Sequence, residues 1–249
     1  MNTLLKLGWV ELKLFIREPI TMFFTLVLPI MFLFVMGEVF GNTPDTGEVV
    51  AWRGVGAMNV YTPSYIGLVM AAIGLFSIPV HLTSYRERGI LRRLRASSIS
   101  IWTLFGSQLI VSFIVTTVCS LILVILAFPV YDVMRPESIT LLILAFIIGT
   151  ISFTTIGILL GAVLPTSRSA QGIGLLLFFV MLMLSGAGPP REVMSDIMRW
   201  IGDAMPLTHL SILLQDPWLG FGWNWTKFGI VTGIAVGATA ISYRFFRWD

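Results

Sequence analysis

The segment RERGILRRLR, residues 86–95, gathers five arginines in a chain of 249 residues that is only 12% charged. Read as a helix at 100° per residue, it places Arg88, Arg92 and Arg95 in one narrow arc, with Ile90, Leu91 and Leu94 on another side. Gly89 allows the backbone to turn or another chain to approach closely, and Glu87 balances the N-terminal dipole. Two uses fit this pattern. One is attraction to anionic lipid, at about 1 kcal/mol per basic residue. The other is docking of a short surface helix, including Arg93, into a groove of a protein partner.

Other chemistry is missing. The chain has no HExxH, GxSxG or Walker A pattern and no paired intramembrane aspartates, so catalysis by this chain alone is not expected. Cys119 is the single cysteine, which excludes an intrachain disulfide and a cysteine metal site. His81 and His209 fall on opposite sides of a membrane in the topology below and cannot share a metal. No metal or cofactor is therefore expected on this chain. Ionisable groups inside a bilayer mark ion or proton paths. Glu38 and Lys227 lie near span ends, where they reach headgroups by snorkelling, and His81 reads as an interfacial histidine. No carboxylate relay is apparent.

The elements that position these residues are membrane helices. The chain is 56% hydrophobic with a mean hydropathy of +0.90, and a spanning helix needs about 20 apolar residues. Six such stretches fit, at about 20–40, 63–84, 102–130, 139–164, 172–188 and 225–245, and they fill one domain covering residues 1–249. The fold class is all-α integral membrane protein. With the N-terminus in the cytoplasm, eleven Lys and Arg residues, from Lys6 to Arg247, fall inside and five fall outside (Arg53, Arg135, Arg191, Arg199 and Lys227). Asp45, Glu48, Asp132, Glu137, Glu192, Asp196, Asp203 and Asp216 also fall outside. Both termini are then cytoplasmic.

Residues 3–18 read as an interfacial helix, with Lys6, Lys13 and Arg17 on one side and Leu5, Trp9, Leu12 and Ile16 on the other; Leu7, Val10 and Leu14 blur the polar side. Pro19 turns the chain into the membrane, and no cleaved signal is expected. The segment 189–224 is external. Its run 210–214 is too short to span and is interfacial or re-entrant. Gly157 and Gly161, and Gly229, Gly233 and Gly237, mark close helix packing, expected within one subunit.

YRERGILRRLRASSIS (residues 85–100) between spans two and three, and SGAGPPREV…MPLTHLSILLQ between five and six, resemble the membrane subunit of ATP-binding-cassette exporters of the type-two permease family. Daunorubicin-type drug, polysaccharide and lipid exporters belong to it. The most specific stretches are ERGxLxRLRAS, at residues 87–97, and P-L-x-H-x5-Q, at Pro206, Leu207, His209 and Gln215. The resemblance covers essentially the whole chain and implies a multi-pass protein of the cytoplasmic membrane, with no nucleic-acid partner.

It also implies a coupling helix at 87–96. Ile90, Leu91 and Leu94 would pack, and Arg88, Arg92 and Arg93 would make polar contacts, in a cytoplasmic ATPase subunit present in two copies that holds ATP and magnesium. A second permease copy or a paralogue would complete the pathway, with spans one, two and five facing the midline and the 189–224 helices capping the exit. Phe- and Met-rich walls, including Phe24, Met31, Phe34, Phe178 and Met181, would adapt to an amphiphilic drug or lipid, although ordinary lipid-facing helix sides look the same. The competing readings are an ion- or proton-coupled carrier and a non-transporting immunity or sensor component.

Overall fold

The computed structural model describes residues 3–44, 52–97 and 99–246. The charges counted at Asp45, Glu48 and Arg247, Ser98 of the loop motif, and the side chains of Leu5, Lys6 and Leu7 lie outside the described residues. The described chain is all-α. Six helices are long and apolar enough to cross a membrane: Pro19–Phe40, Ala57–Glu87, Ile101–Tyr131, Ile139–Val163, Ser167–Leu184 and Trp225–Phe245, here spans one to six. Span two begins earlier than expected because Pro63 sits inside its helix instead of starting it. Span five is shifted towards the N-terminus, because Thr166 accepts from the Ser169 amide and Ser169 answers in a capping box. Ser100 caps span three and Asn224 caps span six in the same manner.

Span two is the pillar of the molecule. Of its most apolar stretch 94% is buried, against 33% in span one, 28% in span five and 22% in span six. Spans one, three, four and five all pack on it, and span six packs on span four and on helix Pro206–Leu219. Span two therefore does not face a midline, contrary to the expectation from the family resemblance, because the chain's own helices already enclose it. The exposed apolar side chains lie elsewhere, notably Phe23, Met31 and Val35 on span one and Leu176, Phe179 and Met183 on span five.

The two glycine patterns behave differently. A Cβ on Gly157 would sit 2.5 Å from the Gly74 carbonyl oxygen, and one on Gly161 would sit 2.9 Å from Leu82, so this GxxxG joins span four to the pillar. Gly229, Gly233 and Gly237 have no neighbour within 4 Å of such a Cβ and are not used for packing within the chain, contrary to expectation.

Spans one and two each contain a π-helical turn, Phe23–Val27 and Ile73–Ser77, followed by Pro29 and Pro79. Each proline removes the donor that the carbonyl four residues earlier would have used, and a wider turn is one way for a helix to absorb this. The two turns meet: Phe24 stacks on Phe76 with ring centroids 4.3 Å apart.

Packing at Gly157 is tested by thermal unfolding in detergent. Gly157→Leu is expected to lower the stability by about 1–3 kcal/mol or more through overpacking, whereas Gly233→Leu leaves it nearly unchanged.

Candidate functional site

The arginine segment sits at one end of the pillar. The helix of span two runs to Glu87, Arg88 leaves helical geometry, and Gly89 adopts the left-handed region at φ 66°, ψ 16°. A separate helix, Ile90–Ala96, follows. The expected continuous helix 87–96 is thus two pieces joined by a glycine turn, a conformation that glycine adopts without a steric penalty. Leu91 is 1% exposed and belongs to the cluster of Leu82, Tyr85, Leu104 and Phe105, with Ile90 and Leu94 half-buried against it. These three residues were expected to pack in a partner's groove. Leu91 instead seats the short helix on its own chain and has no surface to offer, and Ile90 and Leu94 are partly used in the same way. Arg88, Arg92, Arg93 and Arg95 are exposed.

The segment is also tied to spans four and five. The Arg86 guanidinium donates to the carbonyls of Gly161 (3.3 Å), Ala162 (3.4 Å) and Leu164, the last carbonyls of span four. Glu87 accepts from the Ser167 amide at 3.0 Å and its hydroxyl at 2.7 Å, at the first turn of span five. A cation thus meets a helix C-terminus and an anion meets a helix N-terminus, both favoured by the macrodipole. Arg86 and Glu87 bracket the loop between spans four and five and tie it to the turn that precedes helix Ile90–Ala96. Sequence reading missed these partners, because neither residue carries a signal for contacts about eighty positions away.

The N-terminal helix Thr3–Ile16 packs on span three through Gly8, Glu11 and Phe15, while Trp9 and Ile16 are exposed. It therefore has a third, protein-facing side beyond the two expected. Glu11 is 1% exposed and lies 3.8 Å from His81 Nδ1, and Glu18 lies 3.0 Å from His81 Nε2. Burial pushes the Glu11 carboxyl above its ordinary range, against the pull of His81, Tyr85 and Gln108. His81 is thus shared by two carboxylates, not simply an interfacial residue. Reading the spans alone hid this group, since both carboxylates come from residues preceding span one.

At the far end, Pro206 opens helix Pro206–Leu219, which is buried over most of its length. Leu207, Leu210 and Leu214 close over Gly67, and Leu210 and Met70 both reach Gly149. Gly67 is five residues from Ala72, the middle of span two, or about 7.5 Å at 1.5 Å per residue. A hydrocarbon half-thickness is about 15 Å, so the helix lies close to the middle of span two and inside protein, where its backbone is satisfied. Pro217 falls within its last turns and does not break it.

The motif residues hold it there. His209 Nε2 is 2.8 Å from the Asp203 carbonyl oxygen, its Nδ1 is 3.3 Å from Lys227 Nζ, and Gln215 donates to Ser64 Oγ at 2.8 Å. The C-terminal end is pinned by residues the motif does not include. Asp216 accepts from Arg53 at 2.6 Å and from Asn224 at 2.9 Å, and Arg53 lies over the Phe221 ring.

Of the residues named as a substrate wall, the structure brings Phe24 and Phe178 together, with ring centroids 5.7 Å apart, around Phe76, which sequence reading did not single out. Phe178 and Met181 are buried in the core and line no open path in this conformation, a correction that follows from the close packing of spans one, two and five. Met31 and Phe34 are exposed on span one.

The tie through Arg86 predicts a measurable asymmetry. Arg86→Gln should destabilise the protein by about 1–3 kcal/mol, the cost of carbonyls left without their donor, whereas the exposed Arg92→Gln should change stability by less than about 0.5 kcal/mol. Thermal unfolding of both variants in detergent checks this.

Residues 3–216 match the ABC-2 type transporter family. The chain is 30% identical over 199 residues to the inner membrane transport permease YhhJ of Escherichia coli (strain K12), covering 75% of this chain and 52% of YhhJ. An equal match is found with YhhJ of Shigella flexneri. It is 23% identical over 213 residues to YvfS of Bacillus subtilis (strain 168), also named as a transport permease, covering 85% of this chain and 83% of YvfS. The chain thus spans about half the length of YhhJ. With a family match over most of the chain and six apolar helices long enough to cross a membrane, this protein belongs to the ABC-2 type transporter family, as a multi-pass membrane permease.

Proposed function

We propose that this permease is the membrane subunit of an ATP-driven exporter, energised by a separate cytoplasmic ATPase and moving an amphiphile outwards across the cytoplasmic membrane. The observation that carries the reading is the exposed arginine helix Ile90–Ala96 at the foot of an enclosed pillar, tied through Arg86 and Glu87 to spans four and five. Family membership supports an ABC ATPase as the partner on that surface. In this reading the arginine end and both termini are cytoplasmic, as the distribution of Lys and Arg favours. ATP and magnesium belong to the ATPase, in two copies per complex. Two permease copies, or this chain and a paralogue, enclose the pathway, and the exposed apolar faces of spans one and five supply the contact.

The motion follows from the packing. A push on Ile90–Ala96 acts directly on the lower half of span two, Ile78–Glu87, and the π-helical turn Ile73–Ser77 with Pro79 is where that half pivots. Spans four and five follow through Arg86 and Glu87. Helix Pro206–Leu219, held against Gly67, closes the outer half of the pathway until the pillar shifts.

The test is reconstitution with the candidate ATPase. Arg92→Glu with Arg93→Glu leaves Leu91 in place, and it should abolish co-purification and reduce ATPase stimulation by about tenfold or more while the permease keeps its thermal stability. An unchanged complex with unchanged stimulation removes the reading.

One observation favours a second reading, a proton-coupled carrier: the buried pair Glu11 and His81, with the half-exposed Glu18 beside it. Transport that persists with vanadate but collapses with an uncoupler would establish it in place of the first.

A further inference from the structure

We propose that the cavity between the start of span one, the pillar and span five is a binding site for a cationic amphiphile, with Glu18 as the counter-charge. The proposal deepens the export reading by naming a substrate class. The cavity measures about 230 Å³ and is lined by Glu18, Ile20, Thr21, Phe76, Val80 and Gln171, with Pro19 at its edge. Ile20, Phe76 and Val80 make its apolar wall, Thr21 and Gln171 add uncharged polar groups, and Glu18 is the single formal charge among the lining residues.

Three observations support a cation. First, the carboxylate is present and has capacity to spare. Its Oε2 accepts from Thr21 at 3.0 Å and its Oε1 meets His81 at 3.0 Å, yet the side chain remains 37% exposed. A carboxylate offers about four lone-pair sites, so a further cation has an approach. Burial alone would raise the Glu18 carboxyl, but the adjoining His81 imidazole and Thr21 outweigh it, and the group is held below its ordinary range and stays ionised.

Second, the one imidazole beside Glu18 is divided with a second carboxylate. His81 faces both Glu18 and Glu11, so two carboxylates share one imidazole, and Arg88 adds a more distant field from the exposed turn. Third, Phe76, buried and stacked on Phe24, backs the cavity beside Ile20 and Val80, so apolar side chains adjoin the carboxylate and suit the carbons of an organic ammonium.

Size decides which part of the ligand is held. Drug-sized sites enclose about 300–1,000 Å³, so this cavity takes the ammonium head and its first carbons. The apolar remainder lies along the exposed side of span one, at Ile20 and Phe23. That division requires an amphiphile, not a small hydrophilic cation.

The site is tested in nanodiscs of phosphatidylglycerol, without ATPase, so failure of energy coupling and failure of this site are distinguishable. Decyltrimethylammonium and decyl sulfate share a chain and differ in charge. The cation should bind saturably above protein-free nanodiscs, with decyl sulfate showing no saturable binding, and Glu18→Gln should weaken the cation by about tenfold or more while Glu18→Asp restores part of the loss. Because Glu18 also pairs with His81, Val80→Trp serves as the independent variant: it fills the cavity, leaves the ion pair in place and should abolish binding at unchanged thermal stability. Equal binding of both detergents, unchanged affinity in Glu18→Gln, or binding that survives Val80→Trp overturns the proposal. Competition by added phosphatidylethanolamine assigns the ammonium to a lipid headgroup, and lack of competition assigns it to a free amphiphile; both outcomes uphold the cation site.

Discussion

A bilayer core offers no water to a stray carbonyl, amide or charge, and the arrangement of this permease follows from that constraint. Span two satisfies it by being surrounded by protein along nearly its whole length. Once enclosed, it can contain features that lipid would penalise: a π-helical turn, the nearby Pro79, and His81 near its end. Its neighbours approach where side chains are small. The close contact of Gly157 with the Gly74 backbone brings span four against the turn at which the pillar is least regular.

The same constraint explains the two polar ends. At the arginine end, carbonyls finishing span four are met by Arg86, and the amide opening span five by Glu87, so adjoining residues of one turn complete two other helices. At the far end, a helix too short to span packs beside the middle of the pillar and is covered by protein over most of its length. Leu207, Leu210 and Leu214 close it against the pillar, while Gln215, His209 and Asp216 settle its polar groups on Ser64, the Asp203 backbone and Arg53. The P-L-x-H-x5-Q pattern is therefore a packing solution for a helix enclosed by protein: proline starts it, leucine buries it, and histidine and glutamine satisfy it.

Between these ends lies the aromatic meeting point of spans one, two and five. Phe24, Phe76 and Phe178 occupy the level of the two π-helical turns, and the Glu18 cavity adjoins them towards the arginine end. A shift of the pillar at Ile73–Ser77 would alter the aromatic contact and the cavity wall together, because Phe76 belongs to both. This links the energised end of the proposed machine to the place where a ligand would wait.

Much of this was legible in the residues themselves. Six apolar runs, the bias of basic residues and the glycine-marked turn at Gly89 are local properties, dictated by transfer energies and backbone sterics over a few positions. Whole-chain helicity and the approximate spans followed from them, with errors at Pro63 and at Thr166, where proline tolerance and a capping box moved the boundaries. Long-range packing settled the rest. Helical periodicity assigned Leu91 to an apolar side without saying whether a partner or the chain itself covers it, and the fold covers it. Glu11 and Glu18 carried no local sign of a shared partner until the fold brought them to His81, and Gly233 looked like packing until span six turned that face outwards. Local sequence sets what each segment can be, but which side chains are enclosed depends on contacts between positions far apart in the chain, and only the tertiary structure decides those.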